Sequence, residues 1–480
     1  ALASEGADDG DGFLTYLQGT SIYELGRMAH VVGTFDGEEM RIYVNGKLEA
    51  SSKAQSGKIL YPSKAPVILA GYRDSNEDFL HHGRIREVRI FHQTASAEWV
   101  ARDFALDADL VGAAPFLPLD PEFRMRVSPF LQGCSPDSMT VTWETSRPST
   151  SVVRYGSTED LPLAVEGQPE SLIHQVKLEG LPPDTPFLYR VESVDDQGRK
   201  LESEVRTFQT APEAGTPFAF AVISDTQSNP KVAKKIAQLA WAKRPHFLLH
   251  PGDLVGTGTD RNQWLRQFFP SMEPLISRAA LFPVLGNHEQ DARYYYDYMA
   301  LPPPEYFYEF RFGNAHFFLL DSNRRVDPES EQYKWLEKQM KASDARWKFV
   351  CYHHPAYSSD DDYGAFWKGP PAHGVSRMRA MVPLFDRYGV DIVWNGHVHS
   401  YERTWPMKAG EVVEEGGTIY MVTGGGGGGL EVAGPARPSF QNNIRRGHHW
   451  CYIAINGGTL EMKAYDLEGH LFDVLTLRKP

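Results

Sequence analysis

The pattern of apolar and polar residues divides the 480-residue chain into three regions. Residues 1–105 and 122–213 contain short segments in which apolar and polar residues alternate, the period-two pattern of strands with one buried face. From residue 216 onward, continuous apolar runs alternate with segments of helical spacing, which is typical of strands buried on both faces. The pattern predicts a multidomain chain in which two all-β modules precede an α/β domain.

The first region contains a hairpin signal. Residues 40–48 alternate on either side of Asn45-Gly46, a dipeptide that tolerates positive φ at both turn positions. Alternation returns over Arg84–Ile90, which predicts another strand, and a short helix is expected at Ala97–Phe104.

The amino-acid sequence of this region resembles half of a known domain. Residues 30–51 and 83–91 are similar to the second half of a laminin-G, concanavalin-like jelly roll. The resemblance implies a partial jelly roll over residues 1–105, in a chain truncated or processed at its start. Such a module either contacts glycan or serves as a packing and spacer domain.

A proline-punctuated linker is predicted at residues 106–121, followed by a second β module at 122–213. Residues 138–144 and 151–156 alternate with period two, as expected of strands in a sandwich. Residues 181–189 resemble the corner of a fibronectin type III sandwich, in which a tyrosine anchors the turn. No chemistry is expected in this module.

The third region, 216–480, places polar residues at the ends of its apolar runs. Open α/β sheets bind ligands at the carboxyl ends of their strands, so these segments are expected to converge. Carboxylate, amide and imidazole groups together suit Zn, Mn or Fe better than Ca or Mg. The segments are Ser224–Gln227, His250–Asp253, Gly286–Glu289, His353–Pro355 and Gly396–His399. The helices predicted between strands are Pro230–Arg244, Glu331–Lys341 and Val375–Arg387.

The sequences of these segments and their order along the chain resemble the motifs of a known enzyme family. Residues 216–480 are similar to a calcineurin-like metallophosphoesterase, and residues 122–480 to a purple acid phosphatase, most closely at "HHPAYS" and "NGHVHSYERT". The resemblance implies two mixed β-sheets flanked by helices, with two metal ions (Fe, Mn or Zn) at the sheet edge.

The resemblance also implies a role for each matching residue. Asp225 and His399 would bind the first metal, and Asp253 would bridge both ions and contribute to catalysis. The second metal would be held by Asn287, His353 and His397. His288 would contact the substrate phosphate or assist the leaving group, next to Asn287.

Two departures from the family concern the first metal. Purple acid phosphatases carry a tyrosine shortly after the bridging aspartate, whereas residues 254–257 contain none. Other metallophosphoesterases use Asp-x-His in the first motif, where this chain has Asp225-Thr226-Gln227. Gln227 either supplies an amide oxygen to the first metal or leaves that position to water.

Three further features lie near the motifs. His373 is a candidate substrate contact from the loop after His353, with a surface position as the alternative. His354 is expected beside the ligands rather than among them. The run Gly424–Gly429 lacks the Lys-Ser/Thr of a phosphate-binding P-loop and is expected to allow close backbone approach near the site.

Composition limits the function further. The formal net charge of −13 argues against a general nucleic-acid or anionic-membrane binder. No apolar stretch is long enough for a transmembrane helix, and three scattered cysteines do not form a disulfide framework. The sandwich modules resemble those of exported proteins, so a secreted, periplasmic or cell-surface location is expected.

The expected function is phosphoester hydrolysis. In the mechanism that the resemblance implies, a metal-activated hydroxide attacks phosphorus in line, on a phosphorylated small molecule or other phosphoester. Phosphomonoester hydrolysis is favoured, with phosphodiester or nucleotide hydrolysis at the same site as the alternative. An alternative of another class is a glycan-binding surface protein with an inactive phosphoesterase domain, but the bridging aspartate and paired histidines are present.

Overall fold

The computed structural model describes most of the chain. The described residues are 4–7, 17–19, 28–59, 71–73, 78–80, 85–111, 122–359, 373–431 and 437–480. They form two compact units, residues 1–121 and 122–480. The predicted linker at 106–121 lies largely outside the described residues, so its boundaries stay a prediction.

Short antiparallel strands make up the first unit. Its elements are β1 (Ser4–Ala7), β2 (Val31–Phe35), β3 (Met40–Val44), β4 (Lys47–Ser52), β5 (Gln55–Ile59), β6 (Gly71–Arg73), β7 (Asp78–Leu80) and α1 (Ala97–Val111). The strands pair as β1-β5, β2-β3-β4 and β6-β7. The predicted hairpin is observed, since Asn45 and Gly46 join β3 to β4 with φ values of 49° and 77°.

Two expectations for this unit were wrong. Residues 85–90 form no strand, and Ile90 is 74% exposed. Arg86 and Arg89 instead donate to Asp107 and Asp103 of α1, at 2.8 and 2.7 Å, so the alternating charges serve helix contacts. The helix is also longer than predicted, because neither glycine nor proline interrupts it before residue 112.

The second unit begins with a two-sheet β-sandwich. Its strands are β8 (Met125–Gln132), β9 (Ser138–Ser149), β10 (Val152–Gly156), β11 (Leu163–Glu166), β12 (Ser171–Glu179), β13 (Pro186–Val194), β14 (Lys200–Glu202) and β15 (Arg206–Gln209). One sheet has the order β12-β9-β8, and the other has β11-β10-β13-β14 with β15 also pairing with β13.

The tyrosine of the predicted sandwich corner has a different partner. The Tyr189 hydroxyl donates to the backbone oxygen of Ser277 at 2.8 Å, outside the sandwich. Glu144 of β9 likewise accepts from Arg261 and Tyr298. These buried bonds fix the sandwich against the following α/β part, so Tyr189 does not anchor its own turn as predicted.

A buried histidine in the sandwich predicts acid sensitivity. His174 stacks on Trp143 with ring centroids 4.7 Å apart, and burial lowers its pKa from 6.5 to about 4. The unfolded chain therefore binds more protons than the folded chain between these pH values. The free energy of unfolding should fall by about 3 kcal/mol as the pH drops through this window.

The measurement is chemical denaturation at pH 7 and pH 4.5, followed by tryptophan fluorescence. In the variant His174→Gln, which lacks the titrating group, the difference between the two pH values should shrink by the same amount. An unchanged difference would show that another group causes the acid sensitivity.

The α/β part contains the remaining strands and helices. Its strands are β16 (Phe218–Val222), β17 (Phe247–His250), β18 (Ala280–Pro283), β19 (Tyr308–Phe312), β20 (Ala315–Leu319), β21 (Trp347–Cys351), β22 (Ile392–Asn395), β23 (Tyr401–Thr404), β24 (Met407–Lys408), β25 (Glu411–Val412), β26 (Ile419–Thr423), β27 (Gln441–Arg445), β28 (His449–Asn456), β29 (Thr459–Asp466) and β30 (Leu471–Arg478). Its helices are α2 (Pro230–Ala242), α3 (Arg261–Gln263), α4 (Phe269–Ile276), α5 (Arg293–Tyr298), α6 (Glu331–Ala342) and α7 (Val382–Tyr388).

Two mixed sheets form its centre, which confirms the predicted fold class. Their orders are β18-β17-β16-β28-β29-β30 and β19-β20-β21-β22-β26-β23-β27. Strands β16, β17 and β18 are parallel in the first sheet, as are β20, β21, β22 and β26 in the second. The sheets meet through aromatic side chains such as Phe220 and Phe317, whose ring centroids are 5.3 Å apart. The parallel strands therefore end along neighbouring edges of the two sheets.

Two of the three predicted helices are observed, as α2 and α6. The third differs, because Ser376–Met381 is a 3-10 helix that precedes α7. Pro383 has no N–H to donate to the carbonyl of residue 379, so a continuous α-helix through this point would lose a hydrogen bond.

Candidate metal centre

The five predicted polar segments lie together at the ends of parallel strands. Segments after β16, β17 and β18 come from the first sheet, and segments after β21 and β22 from the second. Two groups of side chains that could each hold a metal ion result, with the candidate ligand atoms of each group within 4.8 Å of one another: Asp225, Asp253 and His399; and Asp253, His353 and His397. Asp253 belongs to both groups, as a bridging carboxylate must.

Donor atoms in the second group are spaced as ligands of one ion. Asn287 Oδ1 lies 3.0 Å from both His353 Nε2 and His397 Nδ1. His353 Nε2 lies 3.2 Å from Asp253 Oδ2. Donors about 2.1 Å from a common ion are about 3.0–3.4 Å apart in octahedral or tetrahedral geometry. The four side chains thus fit a single ion.

The first group has similar spacing. His399 Nε2 lies 3.4 Å from Asp225 Oδ1 and 3.2 Å from Gln227 Nε2. Gln227 Nε2 is 3.3 Å from Asp253 Oδ2. The structure therefore brings together every residue that the sequence proposed for the two ions.

Backbone carbonyls orient two of the histidines. His353 Nδ1 lies 2.9 Å from Pro251 O, and His399 Nδ1 lies 2.6 Å from Gly429 O. A neutral ring that donates from Nδ1 has its lone pair on Nε2, the atom that faces the acidic residues. When these rings are neutral, the backbone carbonyls therefore hold them in the tautomer that metal binding requires.

Three of the candidate ligands have left-handed backbone conformations. Asp225, Asp253 and His397 have φ values of 56°, 55° and 73°, which cost free energy in non-glycine residues. Tight packing accompanies them: a Cβ on Gly396 would lie 2.4 Å from Asp225 Oδ2, and one on Gly428 would lie 2.5 Å from His399 Cε1. The expected close approach of the glycine run is therefore observed.

The site is electrostatically suited to cations. Although burial opposes both shifts, the Asp253 carboxylate raises the pKa of His353 to about 10, and Asp225 raises that of His399 to about 9. The histidine charge in turn holds the pKa of Asp253 well below its usual range. The carboxylates thus attract positive charge into the space between the ligands.

His288 stands at the exposed side of this site. Its backbone N–H donates to Asp253 Oδ1 at 3.0 Å, and its Nδ1 lies 2.7 Å from Gly256 O. Nε2 lies 4.0 Å from Asp253 Oδ2, and the side chain is 31% exposed. Burial opposes a raised pKa, but the Asp253 charge raises the pKa of His288 nonetheless. The ring can therefore meet a molecule that approaches from solvent.

Sequence reasoning missed several residues that hold the ligand loops. The buried Glu289 carboxylate accepts backbone N–H groups of Gly286, Asp253 and Leu254 at 2.7, 2.9 and 2.8 Å. It therefore connects the loop of Asp253 to that of Asn287. Burial raises the pKa of Glu289 to about 7.

A second missed group follows β20. Asn323 Nδ2 donates to Gly286 O at 3.2 Å, and Ser322 Oγ lies 2.8 Å from His354 Nδ1. His354 thus lies beside the ligands, as expected. The missed signal was available, since the apolar run of β20 also ends in polar residues, Asp321-Ser322-Asn323.

His373 has no contact with the two candidate ligand groups among the described residues. Its ring centroid is 6.1 Å from that of Phe440, and among the described residues Nδ1 is buried without a hydrogen-bond partner. None of the contacts recorded for the described residues joins it to the two groups. Its substrate role stays a prediction.

Three segments of the chain match models of known protein families. Residues 218–401 match calcineurin-like phosphoesterases, and residues 125–210 match the N-terminal domain of purple acid phosphatases. Over these residues, the chain is similar to calcineurin-like phosphoesterases of the purple acid phosphatase type. Residues 4–101 match the concanavalin A-like lectin and glucanase superfamily, in agreement with the expected N-terminal resemblance.

Two relatives of the chain are named as acid phosphatases. Purple acid phosphatase 15 of Arabidopsis thaliana is 29% identical over 297 residues, which cover 53% of this chain and 54% of the relative. Acid phosphatase type 7 of Mus musculus is 26% identical over 340 residues, which cover 61% and 75%. The match thus spans about half the length of the first of these relatives.

Solved structures agree on the fold. A purple acid phosphatase from yellow lupin seeds superposes with a TM-score of 0.66 at 20% identity, covering 73% of this chain and 74% of that one. PhoD superposes with a TM-score of 0.57 at 13% identity, covering 76% and 94%. Among the described residues, no helix is long and apolar enough to cross a membrane.

Proposed function

We propose that this chain hydrolyses phosphate esters at a binuclear metal centre, as a phosphomonoesterase in the manner of acid phosphatases. The observation that carries the proposal is the pair of ligand groups that share the Asp253 carboxylate. A shared carboxylate holds two ions close together, which is the arrangement that two-metal phosphoester hydrolysis uses.

The donor set fits the implied ions. Asp225 and His399, with Gln227 beside them, would hold the first, and Asn287, His353 and His397 the second, with Asp253 between. Mixed carboxylate, amide and imidazole donors favour Fe, Mn or Zn. Two bound ions would supply a nucleophile at neutral pH and neutralise the charge of the phosphoryl oxygens.

The surrounding residues provide orientation and proton transfer. Glu289 fixes the loops that carry Asp253 and Asn287 through buried backbone bonds. His288 is held from behind by Gly256 O and presents Nε2 toward the open side. From there it would donate a hydrogen bond to a phosphoryl oxygen or a proton to the leaving group. His373 is proposed as a further substrate contact from the adjoining loop.

Diester hydrolysis, including nucleotide hydrolysis, is the alternative on the same site. The experiment is a comparison of matched aryl monoester and diester substrates at equal leaving-group acidity. A higher kcat/KM for the monoester supports the proposal, and a higher value for the diester supports the alternative. No hydrolysis of either by the metal-loaded protein would contradict the enzymatic function.

The inactive, glycan-binding alternative has less support. One similar protein is named as probable inactive purple acid phosphatase 27 of Arabidopsis thaliana, at 25% identity. In this chain, however, the carboxylate and histidine side chains of each candidate group lie within 4.8 Å of one another. We propose a secreted, periplasmic or cell-surface location, with residues 1–105, 122–213 and 216–480 as separate functional regions.

The missing tyrosine predicts a colour difference. Residues 254–257 contain no tyrosine, so no phenolate is expected on a ferric ion at the first position. Iron-loaded protein should lack an intense tyrosinate-to-iron band in its visible absorption spectrum. A strong band that disappears when one tyrosine is replaced by phenylalanine would mean that the first ion has a different ligand set.

A further inference from the structure

The side chain of Gln227 has an unsatisfied atom in the interior. Gln227 is 2% exposed, and its Oε1 is buried with no hydrogen-bond partner among the described residues. Its Nε2 faces two acceptor-bearing ligands, His399 and Asp253, at 3.2 and 3.3 Å. A buried carbonyl without a donor is unfavourable, so this arrangement requires a physical explanation.

An ion at the first position provides one. The amide atom that faces His399 Nε2 and Asp253 Oδ2 stands at the spacing of about 3.0–3.4 Å expected between ligands of one ion. An amide nitrogen has no lone pair for a metal, whereas the amide oxygen does. The two ends of an amide have nearly the same shape, so a half-turn places Oε1 on the ion without moving the rest of the side chain.

The half-turn also requires an acceptor for the amide N–H groups. Gln263 Oε1 is buried and likewise has no partner among the described residues. A Cβ on Gly256 would lie 3.1 Å from Gln263 Oε1 and 3.9 Å from Gln227 Cβ, so both glutamines border the space above Gly256. The unsatisfied oxygen of Gln263 is thus a candidate acceptor for the turned amide.

Gly256 leaves this space open and is fixed in place. Its carbonyl lies 2.7 Å from His288 Nδ1. Any larger side chain at residue 256 would meet Gln263 first. The space above Gly256 is therefore bordered by Gln227 and Gln263 and is not taken up by a side chain of residue 256.

From these contacts we propose that Gln227 Oε1 is a ligand of the first ion, that Gln263 positions it, and that the first position consequently binds a divalent ion. The proposal deepens the proposed function and rests on it. An amide is neutral, so the anionic ligands of the first ion are only Asp225 and the shared Asp253. Trivalent iron is stabilised by additional anionic oxygen, which this ligand set lacks.

The test uses the full chain, stripped of metal by a chelator and titrated with Co²⁺ while visible absorption and bound metal are measured. Wild-type protein should bind two ions. Gln227→Ala should lower the Co²⁺ affinity of one of the two sites by about 10²-fold. Only the visible absorption of Co²⁺ bound at that site should change. Gln263→Ala should weaken the same site by about 10-fold, in the range typical of groups that orient a ligand.

A matched control is available one helical turn away. Gln267 Oε1 is also buried without a partner among the described residues, but it is not one of the three atoms nearest to a Cβ on Gly256. Gln267→Ala should leave the metal affinity of both sites unchanged.

Gln227→Glu supplies an anionic oxygen and should increase retention of Fe³⁺ relative to Zn²⁺ at one site by at least about 10-fold.

The outcomes separate this proposal from the function on which it rests. If two ions bind and neither Gln227→Ala nor Gln263→Ala changes either site, the ligand assignment is overturned while the binuclear centre stands. Tight retention of Fe³⁺ by wild-type protein would overturn the divalent assignment. If no metal binds, the proposed function fails, and this inference fails with it.

Discussion

Asp253→Asn should reduce kcat by at least about 10³-fold. The variant keeps the shape of the side chain but removes the charge that both ligand groups share. Ions at such sites contribute several kcal/mol of charge stabilisation in the transition state, and about 4 kcal/mol corresponds to this factor. Steady-state hydrolysis of an aryl phosphate, with metal supplied in the assay, measures the effect.

An aspartate outside the site provides the control. Asp344 lies before β21 with a carboxylate that is 86% exposed and paired with Arg311. Asp344→Asn should retain full activity. If Asp253→Asn folds normally and still turns over within about 10-fold of wild type, the bridging role of Asp253 is wrong.

His288→Ala should keep both metal ions and lose turnover by about 10²–10⁴-fold. The ring is farther from Asp253 than the closest candidate metal ligands are from one another, since Nε2 lies 4.0 Å from Asp253 Oδ2. Removing a donor aimed at a developing oxyanion costs about 10²–10³ in rate, and removing a general acid costs about 10²–10⁴. The rates should be compared on esters with good and poor leaving groups.

The leaving-group dependence distinguishes the two roles. A general acid matters most for poor leaving groups, so activated aryl esters should lose least. Equal losses on both would indicate phosphate stabilisation instead. His470→Ala, whose side chain is 75% exposed, should change neither rate. Wild-type turnover of an unactivated ester by His288→Ala would eliminate any catalytic role for His288.

The strand ends of the α/β domain were predictable because each buried strand is a continuous apolar run. Such runs are interrupted only where the chain leaves the sheet, so the polar residues after β16, β17, β18, β21 and β22 mark its edge directly. The order of the segments then supplied the resemblance, which placed Asp253 between two ions. The structure brings those side chains together.

Contacts that depend on packing between distant segments were not predictable. Glu289 accepts backbone N–H groups of another loop, and Gln263 and Gln227 both border the space above Gly256. Neither residue carries a periodic signal. Alternation alone also misled over Arg84–Ile90, because charged residues alternate equally well when they pair with a helix as when they face solvent from a strand.

Metal content is the most direct test of two ions sharing Asp253. Elemental analysis of the purified, fully active protein should give two ions of Fe, Mn or Zn per chain. His397→Ala removes a ligand of the second group alone and should reduce the content to one. A fully active protein with a single ion per chain, unchanged in amount by His397→Ala, would contradict the binuclear centre.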